Sequence, residues 1–289
     1  DALALVGITL IQSQAVYEGG YWNTTGIARH VTVAAILPEM EARGIDILAH
    51  GCTGRGNDQV RFQLAANMLN PRVAVYAPWR DSAFLEQFGG RKEMIDFCNA
   101  RELPIVATHE KPYSTDANLL GLTHEAGRLE SLKTPASFIT PGMGVHPQQA
   151  PNSPEQFSVA FAGGLPIEIN GNSVTPVQAI LQANQIAGRN GVGIGIHAVE
   201  NRFVGIKSRG IYESPGMELL GRCYEYLLQL ILDRRARRLF NRVSSEIAEQ
   251  IYQGYWFDPT TRSLLESVAP SLIVKVRVRV AVEGFSLVF

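Results

Sequence analysis

His50-Gly51-Cys52-Thr53-Gly54-Arg55-Gly56-Asn57-Asp58-Gln59 stands between a short apolar run, Ile45 to Ala49, and a helical pattern that begins near Asp58. Strand, glycine loop and helix in that order make an anion site in an α/β protein. The three glycines let backbone approach a ligand closely, and the first helical turn points unpaired N–H groups outward. The expected ligand is therefore a carboxylate or a phosphate. The run is not a G-x-x-x-x-G-K-[ST] loop and lacks the G-x-G-x-x-G order of a dinucleotide site.

Outward from this loop, Val31 to Arg43 is helical and closed by Gly44, Asp58 to Met68 forms a helix, and Val73 to Ala77 a second strand. Ser82 to Arg101 reads as a helix interrupted at Gly89-Gly90, and Leu103 to Thr108 as a third strand. Strands separated by such helices predict parallel βαβ units, whose ligands gather beyond the carboxyl ends of the strands. The glycine loop and Thr108-His109-Glu110 both fall there. After Pro112 the alternation stops, and a second domain is expected from about Lys111. In it, Leu165 to Ile169 reads as a strand, Asn170-Gly171-Asn172 as a tight turn, and Thr175-Pro176-Val177-Gln178 as a capping box opening a helix that ends at Gly188. Leu239, Val243, Ile247 and Ile251 predict one buried stripe on a long helix, and Val274 to Val280 alternates as a half-buried strand that needs a partner sheet. Arg234-Arg235 and Arg237-Arg238 read as a solvated face or a subunit contact.

With 289 residues, 46% of them hydrophobic and 18% charged, the chain can bury a substantial core, and its length suggests two domains. A formal net charge of −1 gives no general attraction to nucleic acid or acidic membranes. The three cysteines, Cys52, Cys98 and Cys223, are far apart, and no two of the six histidines have H-x-x-x-H spacing, so neither a disulfide framework nor a metal site is expected. No secretory segment opens the chain, and no apolar run approaches the ~20 residues that span a bilayer. A cytoplasmic protein without nucleic-acid or membrane partners is the expectation, and the sequon Asn23-Thr24-Thr25 is not expected to carry glycan.

Continued through Val60-Arg61-Phe62, the opening run resembles the H-G-A-T-G-K-G-N-D-Q-V-R-F signature of argininosuccinate synthases, with Cys52 and Arg55 as departures. Three further stretches agree in order and spacing: Tyr17-Glu18-Gly19-Gly20-Tyr21 with Thr25 and Ala28-Arg29, Tyr113 to Leu119 with Glu125-Ala126-Gly127, and Val199 to Glu213. The resemblance implies part of a parallel-sheet nucleotide-binding domain of the ATP pyrophosphatase (HUP-like) kind over residues 1–110. An α+β synthetase and multimerisation domain would follow over 111–265, then an oligomerisation tail over 266–289, in a homotetramer.

That family joins citrulline to aspartate at the expense of ATP, supplied as MgATP. The ureido oxygen attacks the α-phosphorus to give a citrullyl-adenylate and pyrophosphate, and the amine of aspartate then displaces AMP. Both steps depend on positioning and on neutralising phosphate charge. By resemblance, Ala49, His50, Gly51, Cys52, Thr53, Gly54, Arg55, Gly56 and Asn57 would line the nucleotide. Thr25, Thr53, Asn57 and Asp58 would hold aspartate, and Tyr21, Asn57, Arg61, Ser114, Thr123, Glu200 and Tyr212 would hold citrulline. Arg61 suits the carboxylate of that zwitterion and Glu200 its ammonium group; Asn57, Asp58 and Arg61 are the expected catalytic residues. Read without the family, Asn57 and Asp58 fit helix capping, and Glu200 an ion pair with Arg202 or Arg209. His50 is expected to support the loop.

Departures carry expectations of their own. Gly26 and Thr123 stand where the family has serine, Arg55 replaces a lysine, and Ile194-Gly195-Ile196-His197 carries one added residue before Glu200. The family's S-G-G-L-D-T-S loop does not occur in residues 1–289, and the last strand stops before the family's final segment. A truncated chain is therefore expected. The alternative to a complete ligase is a silent module that holds citrulline and aspartate without activating ATP.

Overall fold

The computed structural model describes residues 1–53, 56–105, 113–203, 205–268, 275–283 and 286–288. Its first half runs α1 (Ala2–Ser13), α2 (Thr24–Ala42), β1 (Ile47–Ala49), α3 (Asn57–Leu69), β2 (Ala74–Tyr76), α4 (Ser82–Gln87) and α5 (Arg91–Ala100). β1 and β2 pair in parallel, Ile47 opposite Ala74 and Ala49 opposite Tyr76, with α3 as the crossover. Val33, Leu37 and Met40 of α2 and Ala65 and Ala66 of α3 close a small core against Leu48 and Val73. The break expected at Gly89-Gly90 separates α4 from α5. Of the expected third strand, residues 103–105 have no regular structure, and the rest, with Thr108-His109-Glu110, lies outside the described residues.

The second half contains β3 (Ser114–Ala117), β4 (Leu122–Glu125), β5 (Glu155–Ala162), β6 (Leu165–Ile169), β7 (Asn172–Ser173), α6 (Pro176–Arg189), β8 (Ile194–Asn201) and β9 (Lys207–Glu213). It ends with α7 (Pro215–Ile231), α8 (Arg234–Gln253), α9 (Pro259–Ser267), β10 (Lys275–Glu283) and β11 (Ser286–Val288). Two antiparallel sheets result, in the orders β11-β10-β5-β6-β7 and β3-β4-β9-β8. The alternating strand finds its partner in its own chain, since β10 pairs with β5 from Lys275 opposite Ala162 to Val282 opposite Glu155. Val278, Val280 and Val282 face the core, and Arg279 faces out. Asn170 and Gly171 both have positive φ, as a two-residue hairpin between β6 and β7 requires. The capping box forms as read, Thr175 Oγ1 accepting from Gln178 N and Gln178 Oε1 from Thr175 N.

The larger core joins α6, α7 and α8 to β5 and β10, and it takes in α1 as well, through Ala4, Ile8, Leu10 and Ile11. The helix α1 carries no clear polar stripe and was not legible as amphipathic, because it is enclosed on most sides. On α8 the expected stripe is shifted: Ile247 and Ile251 are buried, but Leu239 is 62% exposed and Phe240 takes its place inside. Among the described residues no helix is long and apolar enough to cross a membrane.

Candidate functional site

A cavity of about 1200 Å³ opens where the loop after β1, the N-terminus of α3 and one face of the β3-β4-β9-β8 sheet meet. In the sheet, Asp116 lies opposite Thr123, Thr123 opposite Tyr212, and Ser114 opposite Glu125. Side chains alternate between faces, so Ser114, Asp116, Thr123, Glu125 and Tyr212 share the face that looks into the cavity. Glu200 reaches the same cavity from β8, despite a bulge. The register of β8 against β9 shifts between Ile194 and Ile196, and Gly195, at φ 75°, absorbs the extra residue. From Ile196 opposite Tyr212 onward pairing is restored, which sets Glu200 opposite Ser208.

Every expected site residue that is described lines this cavity: Tyr21, Thr25, Ala49, His50, Gly51, Cys52, Thr53, Gly56, Asn57, Asp58, Arg61, Ser114, Thr123, Glu200 and Tyr212. Gly54 and Arg55 lie outside the described residues. Arg29, Asp116, Glu125 and Arg202 also line it. They stand inside the motif stretches, but nothing in residue type or spacing distinguishes them from surface charges.

Asp58 is the hub of the charged groups. Its Oδ2 accepts from Arg29 Nε and Nη2 at 3.0 and 2.7 Å, and its Oδ1 accepts from Arg61 Nη1 at 2.9 Å. Arg29 also pairs with Asp116. Burial opposes ionisation of Asp58, but Arg61 and Arg29 outweigh it and hold the carboxyl below the usual carboxylate range. The capping role fails for both α3 residues: Gly56 is the N-cap, and no side chain caps the helix. Asn57 instead accepts from the backbone N–H of Phe203 at 2.8 Å, which leaves its amide N–H groups without an acceptor among the described residues.

Arg61, 5% exposed, gives Nε and Nη2 to the carbonyl of Tyr252 at 3.0 and 2.8 Å. A Cβ at Gly26 would lie 2.9 Å from its Cζ, so glycine here makes room for the guanidinium beside α2. Glu200, 8% exposed, accepts on Oε2 from the Tyr252 hydroxyl at 2.5 Å and feels the charge of Arg202, whereas Arg209 gives its N–H groups to His197 and to the carbonyls of Leu129, Ser131 and Thr134. Burial pushes the Glu200 carboxyl up to about 7, against the Tyr252 hydrogen bond and the charge of Arg61.

The neutral groups are as closely held. Tyr21 stacks on Tyr212 with ring centroids 4.0 Å apart, and its hydroxyl oxygen accepts from the N–H groups of Thr25 and Gly26 at the start of α2. With its oxygen so engaged, and its phenol held protonated by burial, Tyr21 has an O–H that meets no acceptor among the described residues and can donate into the cavity. The hydroxyls of Thr25 and Thr123 are bonded at 2.6 Å, so Thr123 supplies a hydroxyl at the position of the family serine. Gly210 leaves the space over which the Tyr212 ring lies, since a Cβ there would come within 2.1 Å of its hydroxyl. His50 stacks on Phe62 and accepts from the N–H of Cys52, a supporting role for the loop, and burial lowers its pKa, so that the ring is neutral near pH 7. Burial likewise pushes the Cys52 thiol up to about 11. Among the described residues no group of three or more His, Cys, Asp or Glu could hold a metal ion.

The "Arginosuccinate synthase C-terminal domain" family model matches residues 113–286, and the "Arginosuccinate synthase N-terminal HUP domain" model matches residues 5–104. The chain belongs to the argininosuccinate synthase family. It is 44% identical over 256 residues to an argininosuccinate synthase of Rhodopirellula baltica, covering 88% of this chain and 63% of that protein. Similarity to those of Thermoanaerobacter pseudethanolicus (40% over 259 residues; 88% and 61%) and Dinoroseobacter shibae (40% over 264 residues; 91% and 64%) is of the same order. The chain thus spans a little under two thirds of the length of these argininosuccinate synthases. The HUP-model region holds the parallel pair and the glycine loop, and the C-terminal-domain region holds the sheet that faces them.

Proposed function

We propose that the protein serves as an ATP-dependent ligase that joins L-citrulline to L-aspartate, with MgATP as the nucleotide substrate and argininosuccinate, AMP and pyrophosphate as products. The observation that carries this reading is the convergence of buried Arg61 and Glu200, groups of opposite charge, on one cavity beside Asp58 and Asn57. A zwitterionic amino acid needs such a pair: Arg61 retains two N–H donors for its carboxylate, and ionised Glu200 takes its ammonium group. Tyr21, Ser114, Thr123 and Tyr212 supply hydroxyls beside them. Asp58 keeps lone pairs for the ammonium group of the second amino acid, with Asn57, Thr53 and Thr25 alongside. The uncapped N–H groups at the start of α3 fit phosphate, and the loop from Ala49 to Asn57 would follow the nucleotide.

In the first step the ureido oxygen of citrulline bonds to the α-phosphorus and pyrophosphate leaves; in the second the aspartate amine bonds to the activated carbon, AMP leaves, and the amine gives up its proton. Asn57, Asp58 and Arg61 act by fixing the reacting atoms in line. We place the protein in the cytoplasm as a homotetramer, divided at about residues 110 and 265. Exposed Leu230 and Ile231 of α7 and Leu239 of α8 are suited to subunit contact.

Calorimetric titration of citrulline, followed by assay of pyrophosphate release from MgATP and mass detection of argininosuccinate on adding aspartate, tests the reading. Glu200→Gln is expected to weaken citrulline binding at least tenfold, since a charged hydrogen-bond partner contributes roughly 1.5–3 kcal/mol. Unchanged affinity would remove Glu200 from the site. Citrulline binding without pyrophosphate release would leave a module that only holds the two amino acids.

A further inference from the structure

The two charges of the proposed zwitterion clamp meet on one residue that belongs to none of the motif stretches. Tyr252, on the last turn of α8, gives its hydroxyl to Glu200 Oε2 and takes Arg61 Nε and Nη2 on its carbonyl. That carbonyl is one of those a helix C-terminus leaves without an intrahelical partner, at the negative end of the helix dipole, so a guanidinium is its natural mate. The Tyr252 ring is fully buried, lies 5.0 Å from Arg61 Cζ, and stacks on Tyr17 at 3.8 Å and 4°. Tyr17 in turn exchanges both backbone hydrogen bonds with Tyr21, whose ring packs on Tyr212. One buried residue therefore spans from the guanidinium, held on its carbonyl, to the carboxylate, held by its hydroxyl.

Resting on the ligase reading, we propose that Tyr252 is a positioning residue that sets the separation of Arg61 and Glu200 and holds Glu200 as the acceptor for the ammonium group of citrulline. The groups that face Glu200 are Tyr252 from α8, Arg61 from α3, Glu125 from β4, Arg202 after β8, and Tyr17 and Tyr21 from the segment after α1. Among them Tyr252 alone donates a short hydrogen bond to it in the described residues. A bond to the ionised carboxylate favours ionisation, so its removal shifts the protonation of Glu200 to higher pH. Citrulline binding then requires a higher pH.

The test is calorimetric titration of citrulline from pH 6 to 9 with the unsubstituted chain, Tyr252→Phe, Glu200→Gln and the double variant. Phenylalanine keeps the stack on Tyr17 and the carbonyl used by Arg61 and deletes only the hydroxyl. Affinity of the unsubstituted chain is expected to rise with pH through about 7. Tyr252→Phe is expected to weaken binding about tenfold at pH 7, the loss of one charge-assisted bond, and to move that rise to higher pH. In the Glu200→Gln background the second substitution is expected to change affinity less than about twofold, because the partner is already gone. Equal affinity and an equal pH midpoint for the unsubstituted chain and Tyr252→Phe overturn the inference and leave the ligase reading standing. So does a uniform loss at every pH that persists in the Glu200→Gln background. Absence of citrulline binding by the unsubstituted chain overturns both.

Discussion

Asp58 stands between two arginines, and that decides what its replacement does. Residue type and family resemblance assign Asp58 to aspartate alone, which would make its loss selective. In the structure it also orients Arg61, through the 2.9 Å bond from Nη1. Asp58→Asn is therefore expected to raise the KM for citrulline as well as that for aspartate, each by about tenfold, the size of one charge-assisted bond. An effect confined to the aspartate KM would separate the two residues. That the expected residues line one cavity was legible, because they stand in strings that resemble the family's motifs. The role of Gly26 was not, since the value of an absent side chain depends on the Arg61 guanidinium that fills its place.

Among the elements, α6 is held at its C-terminal end by backbone contact with the segment before β5. A Cβ on Gly188 would lie 2.1 Å from the carbonyl oxygen of Met143, and one on Gly144 would lie 2.2 Å from that of Gly188. The same segment gives the N–H groups of Gly142 and Met143 to Glu213, the neighbour of Tyr212 on β9. Helix propensity alone favours alanine over glycine by about 1 kcal/mol. The backbone clash is larger, and Gly188→Ala is expected to lower stability by roughly 2–3 kcal/mol. A raised urea midpoint for the variant would show that this close approach is unimportant. The capping box, the hairpin turn and the break at Gly89-Gly90 were readable because each depends on a few adjacent residues. The burial of α1 and the shifted stripe of α8 depend on neighbours distant in sequence.

For the whole molecule, the site is a junction between the two halves. His30 of α2 donates from Nε2 to the carbonyl of Gly254, just past α8, while Arg61 of α3 holds the carbonyl of Tyr252. Burial lowers the His30 pKa to about 4, against its contacts with the Gly254 and Gly26 carbonyls. A folded pKa below the unfolded value of 6.5 means that stability is lost as pH falls from about 6.5 to 4, by about 3 kcal/mol. Glu200 works the other way: its folded pKa of about 7 exceeds the unfolded 4.5, so stability falls by about 3 kcal/mol as pH rises through that interval. The two nearly cancel in the unsubstituted protein. Relative to it, His30→Gln is expected to lose stability with rising pH, and Glu200→Gln to gain it, in urea midpoints measured from pH 4 to 7.5. Parallel curves for all three proteins would refute both assignments.

The order of strands and helices around the glycine loop, the family, and about half of the residues that line the cavity were readable from the chain before folding. The elements follow from local rules, periodicity and turn and cap chemistry, and the family and lining residues from strings that resemble the family's motifs. Long-range packing alone brings Arg29 to Asp58 beside Arg61, turns Glu200 toward the cavity past a bulge at Gly195, and sets Tyr252 between the two charges. Each of those depends on groups brought together from distant positions, where burial and geometry, absent from any local pattern, set the strength of every contact.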